Sequence, residues 1–448
     1  MKITIAGASG FVGLNLIKKL DSAYSIKGLS RSAKTSNIKN LTWAEVDLFS
    51  LGSTVHALEE TDIAIYLVHS MMPSSRLFQG NFQDTDLLLA DNFAKACQKA
   101  KVKQIIYLGG LVPEKGGSKH LTSRKEVEEV LKFTNIPITI LRAGMVVGDG
   151  GSSFEILKNL VLNLPIMILP KWTKSRTQVI FVDDLISVII KSINNESFYN
   201  KTINVVNGER FIYKDLIQQT IEHFGKKKII FPIPIYYTRF SKLWVKNFGQ
   251  TDYELVSPLI DSLMCDLPWP PIEPLIFDCI KYKNYREMLK VINPKKLPRN
   301  RSKAAVVEKA VRSIQRLPNI YHLSNETILI KYVQWLPLEF KYLIKAFLTN
   351  DGVCFNFLGF KKPLLILKKI EEIESVDRLK FHITGGLLSK TTDTGWLEFR
   401  QISGGEFTLA SIHGFIPSLP WYIYKYTQAP MHEYVMKKFG DFISRKDK

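Results

Sequence analysis

The chain has 448 residues, a formal charge of +19 at pH 7 and 46% apolar residues, with glycine and proline at ordinary levels. That composition excludes a disordered or collagen-like chain and suits about two or three folded domains. The chain opens on an apolar strand, with no charged n-region or apolar h-region ahead of it and no run of about 18 apolar residues, so a soluble, cytoplasmic protein without a transmembrane segment is expected. Cys97, Cys265, Cys279 and Cys354 stand far apart without C-x-x-C or Cys/His spacing, which predicts neither a metal site nor a disulfide framework.

The first predicted strand, Ile3 to Ala6, runs into Gly7-x-x-Gly10-x-x-Gly13, and Val12, Leu16, Ile17 and Leu20 then recur at helical spacing. Strand, glycine turn and helix in that order suit a dinucleotide. Gly7 permits the turn, Gly10 lets backbone N–H groups approach a pyrophosphate, and Gly13 lets the helix pack on the strand with its positive end toward the phosphates.

From here strands and helices alternate, which predicts a parallel sheet covered on both faces. The second strand, Ser25 to Leu29, ends in Ser30-Arg31. An acidic residue here would bond the ribose hydroxyls of NAD, whereas an arginine accommodates a 2′-phosphate, so NADP(H) is favoured over NAD(H). The third strand, Leu41 to Val46, ends at Asp47-Leu48, where a carboxylate could accept from an adenine amino group; the fourth, Ile63 to Leu67, ends at Val68-His69. A helix over Asp84 to Ala100, with Cys97 as a core thiol, leads to a fifth strand, Gln104 to Leu108, ending in Gly109-Gly110. The sixth strand, Pro137 to Leu141, ends in Arg142-Ala143-Gly144-Met145-Val146. Next come a helix from Phe154 to Leu164, the cationic stretch Lys171 to Arg176 around Trp172, and a strand from Gln178 to Val182. Helices over Tyr213 to Phe224 and Tyr285 to Val291 close a first domain at 1–292.

Residues 281 to 316 hold twelve lysines or arginines against Glu287 and Glu308. Two prolines and the lack of interleaved aromatics mark 293–316 as a solvated basic linker with no nucleic-acid role, although peripheral contact with an anionic membrane stays open. A second, α+β domain follows at 317–448: a helix near Lys341 to Leu348, strand-like runs up to Phe415, a hairpin at Gly404-Gly405 and a helix of about 20 residues after Pro420. Antiparallel strands with a long closing helix suggest a helix-grip-like fold that could hold a hydrophobic ligand, with Trp421, Tyr422, Tyr424 and Tyr426 as lining or as packing.

Over roughly residues 1 to 292, the ordered set Gly7-x-x-Gly10-x-x-Gly13, Arg31, Asp47-Leu48, Tyr66 to Ser70, Ile106 to Gly110, Ile140 to Gly144 and Val182-Asp-Asp184 resembles the atypical, extended short-chain dehydrogenase/reductases, most closely the NmrA-like proteins. The resemblance implies an α/β Rossmann core, a doubly wound parallel sheet with a small substrate lobe. It also implies that the cofactor is lined by Gly7, Ser9, Gly10, Phe11, Val12, Gly13, Ser30, Arg31, Asp47, Leu48, Val68, His69, Gly109, Arg124, Ala143, Gly144 and Val146. Active members use a Ser after the fifth strand and Tyr-x-x-x-Lys on the next helix; here those positions hold Gly110, His120 and Arg124. His120 and Arg124, four residues apart on one helical face, are the catalytic candidates, the first for proton transfer and the second for holding ribose or an anion. Three readings stay open: an NADP(H)-dependent reductase of a small carbonyl or quinone-like substrate, a dinucleotide-binding regulator or assembly factor without turnover, and hydrophobic-ligand binding by the second domain.

Overall fold

A computed structural model describes residues 1–20, 22–69, 77–113, 116–164, 166–234, 260–279, 281, 283–293, 310–370, 377–390 and 395–445. The chain forms two compact units, 1–72 with 89–300 and 73–88 with 301–448.

The first unit is built on seven parallel strands: β1 (Lys2–Ala6), β2 (Ser25–Ser30), β3 (Leu41–Glu45), β4 (Ile63–Tyr66), β6 (Gln104–Gly110), β7 (Ile138–Ala143) and β12 (Lys201–Val205). Their spatial order is β12-β7-β6-β4-β1-β2-β3, so the chain winds outward from β1 in both directions. A doubly wound sheet of this kind opens a crevice at the carboxyl ends of its strands, where the order reverses. Helices α1 (Phe11–Lys19), α2 (Leu51–Leu58), α3 (Phe82–Lys99), α4 (Lys119–Lys132), α5 (Ser152–Asn163), α6 (Val182–Ser192), α7 (Tyr213–His223) and α8 (Tyr285–Val291) follow in chain order. The core strands read as continuous apolar runs because both faces are covered; Ile3, Ile5, Ile65, Ile106 and Leu141 are all buried. Cys97 is a core thiol as expected, and burial pushes its pKa well up.

Outside the main sheet, the described residues of the first unit form three short strand pairs. Strand β8 (Met145–Val147) lies parallel to β11 (Val179–Phe181), β9 (Ile166–Leu169) parallel to β14 (Ile229–Pro232), and β10 (Arg176–Thr177) antiparallel to β13 (Phe211–Ile212). The expected apolar helices after Pro232 fall largely on residues 235–259, outside the described residues.

The second unit is a sheet of eight strands: β5 (Leu77–Gln79), β15 (Val311–Pro318), β16 (Ile344–Thr349), β17 (Gly352–Phe357), β18 (Leu365–Ile370), β19 (Arg378–Gly385), β20 (Trp396–Ile402) and β21 (Phe407–Phe415). The order is β16-β17-β18-β19-β20-β21-β15-β5; all neighbours are antiparallel except β15 and β5. Helices α9 (Asn325–Glu339), α10 (Trp421–Tyr426) and α11 (Gln428–Ile443) complete it. Between sheet and helices the rings of Tyr332, Trp335, Phe439 and Phe442 pack at 5.0 to 6.3 Å between centroids.

This unit departs from expectation in four places. Residues 311–316 of the expected linker are strand β15, held in register against β21, while 294–309 lie outside the described residues. Residues 73–88 join the second unit rather than the first, because β5 pairs with β15, Gln79 Nε2 donates to the Ala429 carbonyl at 2.6 Å and Asp84 pairs with Arg316 at 2.6 Å. The stretch expected as helix Lys341 to Leu348 is instead edge strand β16, and the helix lies earlier, as α9, with Ser324 as its N-cap. The closing helix is two helices broken at Thr427, whose ψ is −73° and φ −123°. Tyr424 is buried against Phe415, whereas Tyr422 and Tyr426 are exposed.

The face of the sheet opposite the aromatic layer carries buried charge. Glu398 lies 2.8 Å from Arg378 and 2.9 Å from Arg400, and His413 stacks on Trp396 and bonds Ser411 at 3.1 Å. Burial holds His413 down to about 3 and His432 to about 4, while its two arginines hold Glu398 well below the carboxylate range against the effect of burial. Between those values and about 6.5 the unfolded chain binds protons that the folded chain refuses, so stability falls as pH drops from 7 toward 4. Each histidine is expected to contribute on the order of 1–2 kcal/mol of that loss by pH 5. Denaturant midpoints at pH 7, 6 and 5 check this; equal midpoints would show that neither ring is held neutral.

Candidate functional site

The glycine turn is shaped so that Gly7 and Gly13 are needed. Gly7 has φ +83°, and a Cβ there would lie 2.8 Å from the Leu67 carbonyl oxygen. A Cβ on Gly13 would come within 2.6 Å of the Gly7 oxygen and 2.7 Å of the Ala8 Cα, so only glycine lets α1 sit this close to the turn. Gly10 donates its N–H to Gly7 at 2.9 Å and is the N-cap of α1 with no side-chain cap, and no acidic residue occupies the first turn. The first-turn N–H groups at Phe11, Val12 and Gly13 therefore form an uncapped, electropositive helix end, which fits a phosphate. Ser9 and Gly10 are exposed beside it. The Phe11 ring packs instead toward Gly148 and Gly151, where added Cβ atoms would meet it at 2.8 and 3.1 Å.

At the end of β2, Ser30 is buried and accepts from the Ser32 N–H at 3.4 Å, and Arg31 is exposed. Ser30, not an acid, ends β2, and Glu45 at the end of β3 pairs with it in register. Asp47 Oδ1 accepts from the Phe49 N–H at 3.1 Å and shapes the turn into α2, while the Leu48 carbonyl accepts from Asn92 at 2.7 Å. Val68 and His69 follow β4, whose extension is held by the Leu67 N–H on the Ala6 carbonyl at 2.9 Å.

The two glycines ending β6 make room for α4. A Cβ on Gly109 would lie 2.9 Å from Glu128 Oε1, and one on Gly110 would lie 3.3 Å from the Arg124 Cδ. Glu128 is fully buried and takes Arg142 in a bidentate pair at 2.6 to 3.2 Å, which fixes the carboxyl end of β7 to α4. Arg124 donates to the Leu108 carbonyl, and its own carbonyl accepts from Tyr107 at 3.2 Å. A side chain in place of Gly110 would thus press on the Arg124 Cδ, 3.3 Å from its Cβ, and move it by a few tenths of an ångström, with the Arg124 Nε in ordinary contact at 3.5 Å.

His120 occupies a different setting. Its Nδ1 lies 3.0 Å from Ser262 Oγ, which lies 2.8 Å from Ser118 Oγ, and Ser118, the N-cap of α4, accepts from the Leu121 N–H at 3.2 Å. The His69 ring is 4.7 Å from the His120 ring at 55°. Burial first, then the nearby His69 and Arg124, holds His120 well below the ordinary histidine range, so it is a neutral imidazole at pH 7. The structure thus joins His69 with His120, and separates Arg124 from that cluster by binding its guanidinium to β6. Ser118 was readable as a helix cap, but Ser262 stands 142 residues from His120 with no local signal.

Beyond β7, a Cβ on Gly144 would lie 2.3 Å from the Gln178 carbonyl oxygen, and the Met145 N–H donates to that oxygen at 2.9 Å. Ala143 takes the Leu111 N–H at 3.1 Å, and Val146 pairs with Ile180. Gln178 is 1% exposed, yet among the described residues neither its Oε1 nor its Nε2 has a hydrogen-bond partner. A buried amide in that state costs about 1–3 kcal/mol, a deficit that a polar ligand removes. Trp172 is buried against Tyr213, while Arg176 and Arg210 lie 5.5 and 5.9 Å from the Trp269 ring. Among the described residues no three His, Cys, Asp or Glu side chains converge as a metal site, and no helix is long and apolar enough to cross a membrane.

A doubly wound parallel sheet whose first turn is a tight glycine cradle under an open helix end is a dinucleotide-binding domain. Residues 7–161 match the NAD(P)H-binding family model. The chain is 29% identical over 112 residues to the auxiliary protein GraX of Staphylococcus aureus, a match covering 24% of this chain and 36% of that relative, so it spans about a third of the relative's length. A solved nucleoside-diphosphate-sugar epimerase from S. aureus superposes with a TM-score of 0.51 at 16% identity, over 65% of this chain and 100% of that one. The triphenylmethane reductase of Citrobacter sp. with NADP(H) gives 0.49 at 18% identity, over 65% and 99%. At these identities the likeness is one of fold.

Proposed function

We propose that the protein is an NADP(H)-dependent reductase of a small carbonyl or quinone-like molecule, with His120 in the place of the tyrosine. The observation that carries this reading is the assembly of His120, Ser262 and Ser118 on the first unit that also holds the glycine cradle, joined by hydrogen bonds of 2.8 to 3.2 Å. When bound, a reduced nicotinamide supplies a hydride. The chain's own residues hold the cofactor at α1 and place a proton donor, the imidazole, at the substrate oxygen. Exposed Arg31 with Ser30 in place of an acid supports NADP(H), and the unsatisfied Gln178 amide supports a polar group on the substrate or the cofactor.

His120→Ala is expected to lower kcat about a hundredfold with NADPH affinity changed by less than about twofold. The assay is NADPH oxidation with 9,10-phenanthrenequinone and benzaldehyde as acceptors. A variant as fast as the parent would remove His120 from the reaction. The commitment of Arg124 to the Leu108 carbonyl favours a second reading, a dinucleotide-binding regulator or assembly factor without turnover. A parent protein that binds NADPH and oxidises it with no acceptor would decide for that reading.

A further inference from the structure

We infer that Ser118 and Ser262 form a hydroxyl relay that holds His120 as the Nε2–H tautomer and resupplies its proton from solvent; this rests on the reductase reading above. One direction of the relay puts both hydroxyl hydrogens on the chain. Ser118 Oγ accepts from the Leu121 N–H at 3.2 Å, and in this direction it gives its hydrogen to Ser262 across a 2.8 Å contact in which either hydroxyl can donate. Ser262 then accepts from Ser118 and turns its own hydrogen to His120 Nδ1 at 3.0 Å. Each hydroxyl donates once along the chain, and the imidazole keeps its hydrogen on Nε2. In the opposite direction Ser118 would accept twice and its hydrogen would leave the chain.

The relay answers a chemical difficulty. A ring held well below the ordinary histidine range is a poor source of protons if it must first be charged. Two groups near it add to that, His69 after β4 and Arg124 one turn along α4, while Asp261 and Cys265 lie on the segment that carries Ser262. With the relay the ring stays neutral throughout. A substrate alkoxide takes the Nε2 proton, Nδ1 takes the proton of Ser262, Ser262 that of Ser118, and partly exposed Ser118 takes one from water, leaving hydroxide in solvent. One O–H bond forms on the product and one breaks in water. The ring resets when Nε2 takes up a proton from solvent and the relay runs back to neutralise the hydroxide.

The test is the pH profile of NADPH oxidation with 9,10-phenanthrenequinone. The parent rate is expected to stay level between about pH 6 and 8.5, because no charged imidazole is needed. Ser262→Ala should be roughly tenfold slower at pH 8 and recover as pH falls toward 5.5, where direct protonation of His120 replaces the relay. Ser262→Thr keeps the hydroxyl and should keep the parent profile. Long-range 15N–1H spectra of the full chain should show His120 protonated on Nε2 in the parent and as a tautomer mixture in Ser262→Ala. A Ser262→Ala variant with the parent's rate and profile overturns the relay, as does an Nδ1–H tautomer in the parent. If the parent oxidises no NADPH, the reductase reading falls, and the parent spectrum alone then decides: Nε2–H supports the relay and Nδ1–H ends it.

Discussion

Glu398→Ala is expected to destabilise the protein by roughly 3–5 kcal/mol, the cost of leaving buried charge uncompensated. Glu398 and Arg400 are 0% exposed, and Arg378 lies 2.8 Å from the same carboxylate. Glu398→Gln keeps volume and an acceptor but not the charge, and should fall between the parent and the alanine variant. Equilibrium denaturation at pH 7 checks the series. A loss below about 1 kcal/mol for Glu398→Ala would show that the charge of the arginines is balanced without Glu398.

NADPH should raise the thermal midpoint more than NADH does, and Arg31→Asp should reverse that order. At about 100 times its dissociation constant, a nucleotide that binds only the folded protein contributes about 2.7 kcal/mol. Gly13→Val should abolish the response to both, because its Cβ would stand 2.6 Å from the Gly7 oxygen and push α1 off the cradle. An equal response to both nucleotides that Arg31→Asp leaves unchanged would remove the preference for NADP(H). No response to either would remove cofactor binding itself.

The cradle was legible because its physics is local: Gly7, Gly10 and Gly13 each meet an atom within a few residues in sequence or on the adjoining strand, and the motif encodes that closeness directly. Strand β12 escaped notice because Lys201-Thr-Ile-Asn-Val205 is short, lies at the edge of the sheet and begins with two exposed polar residues. Helix α9 was missed, with Ile328, Leu329, Val333, Trp335 and Leu336 spread around it and Pro337 in its last turn, so its period is blurred. Edge strand β16 was read as a helix since one side pairs with nothing and Phe347 and Leu348 both stay exposed, which erases the alternation of a half-buried strand. In the site, Gly110 and Arg124 could be seen as replacements, but that one fills the space beside the other is a fact of the strand–helix contact. The pairing of His120 with Ser262 depends on a loop closure that no spacing rule reaches.

The parallel pairing of β5 with β15 has a consequence for biosynthesis. At the usual pace of translation, the partner of β5 leaves the ribosome about 230 residues, or roughly 10–50 s, after β5 itself. For that interval β5 can only wait while the sheet around it is completed between its neighbours in the chain. A truncated product made of 301–448 alone would lack β5 and leave the outer edge of β15 open, a template for pairing with another chain. The second unit thus joins a strand made early to strands made more than 200 residues later, and its β15 edge is closed only by the earlier one.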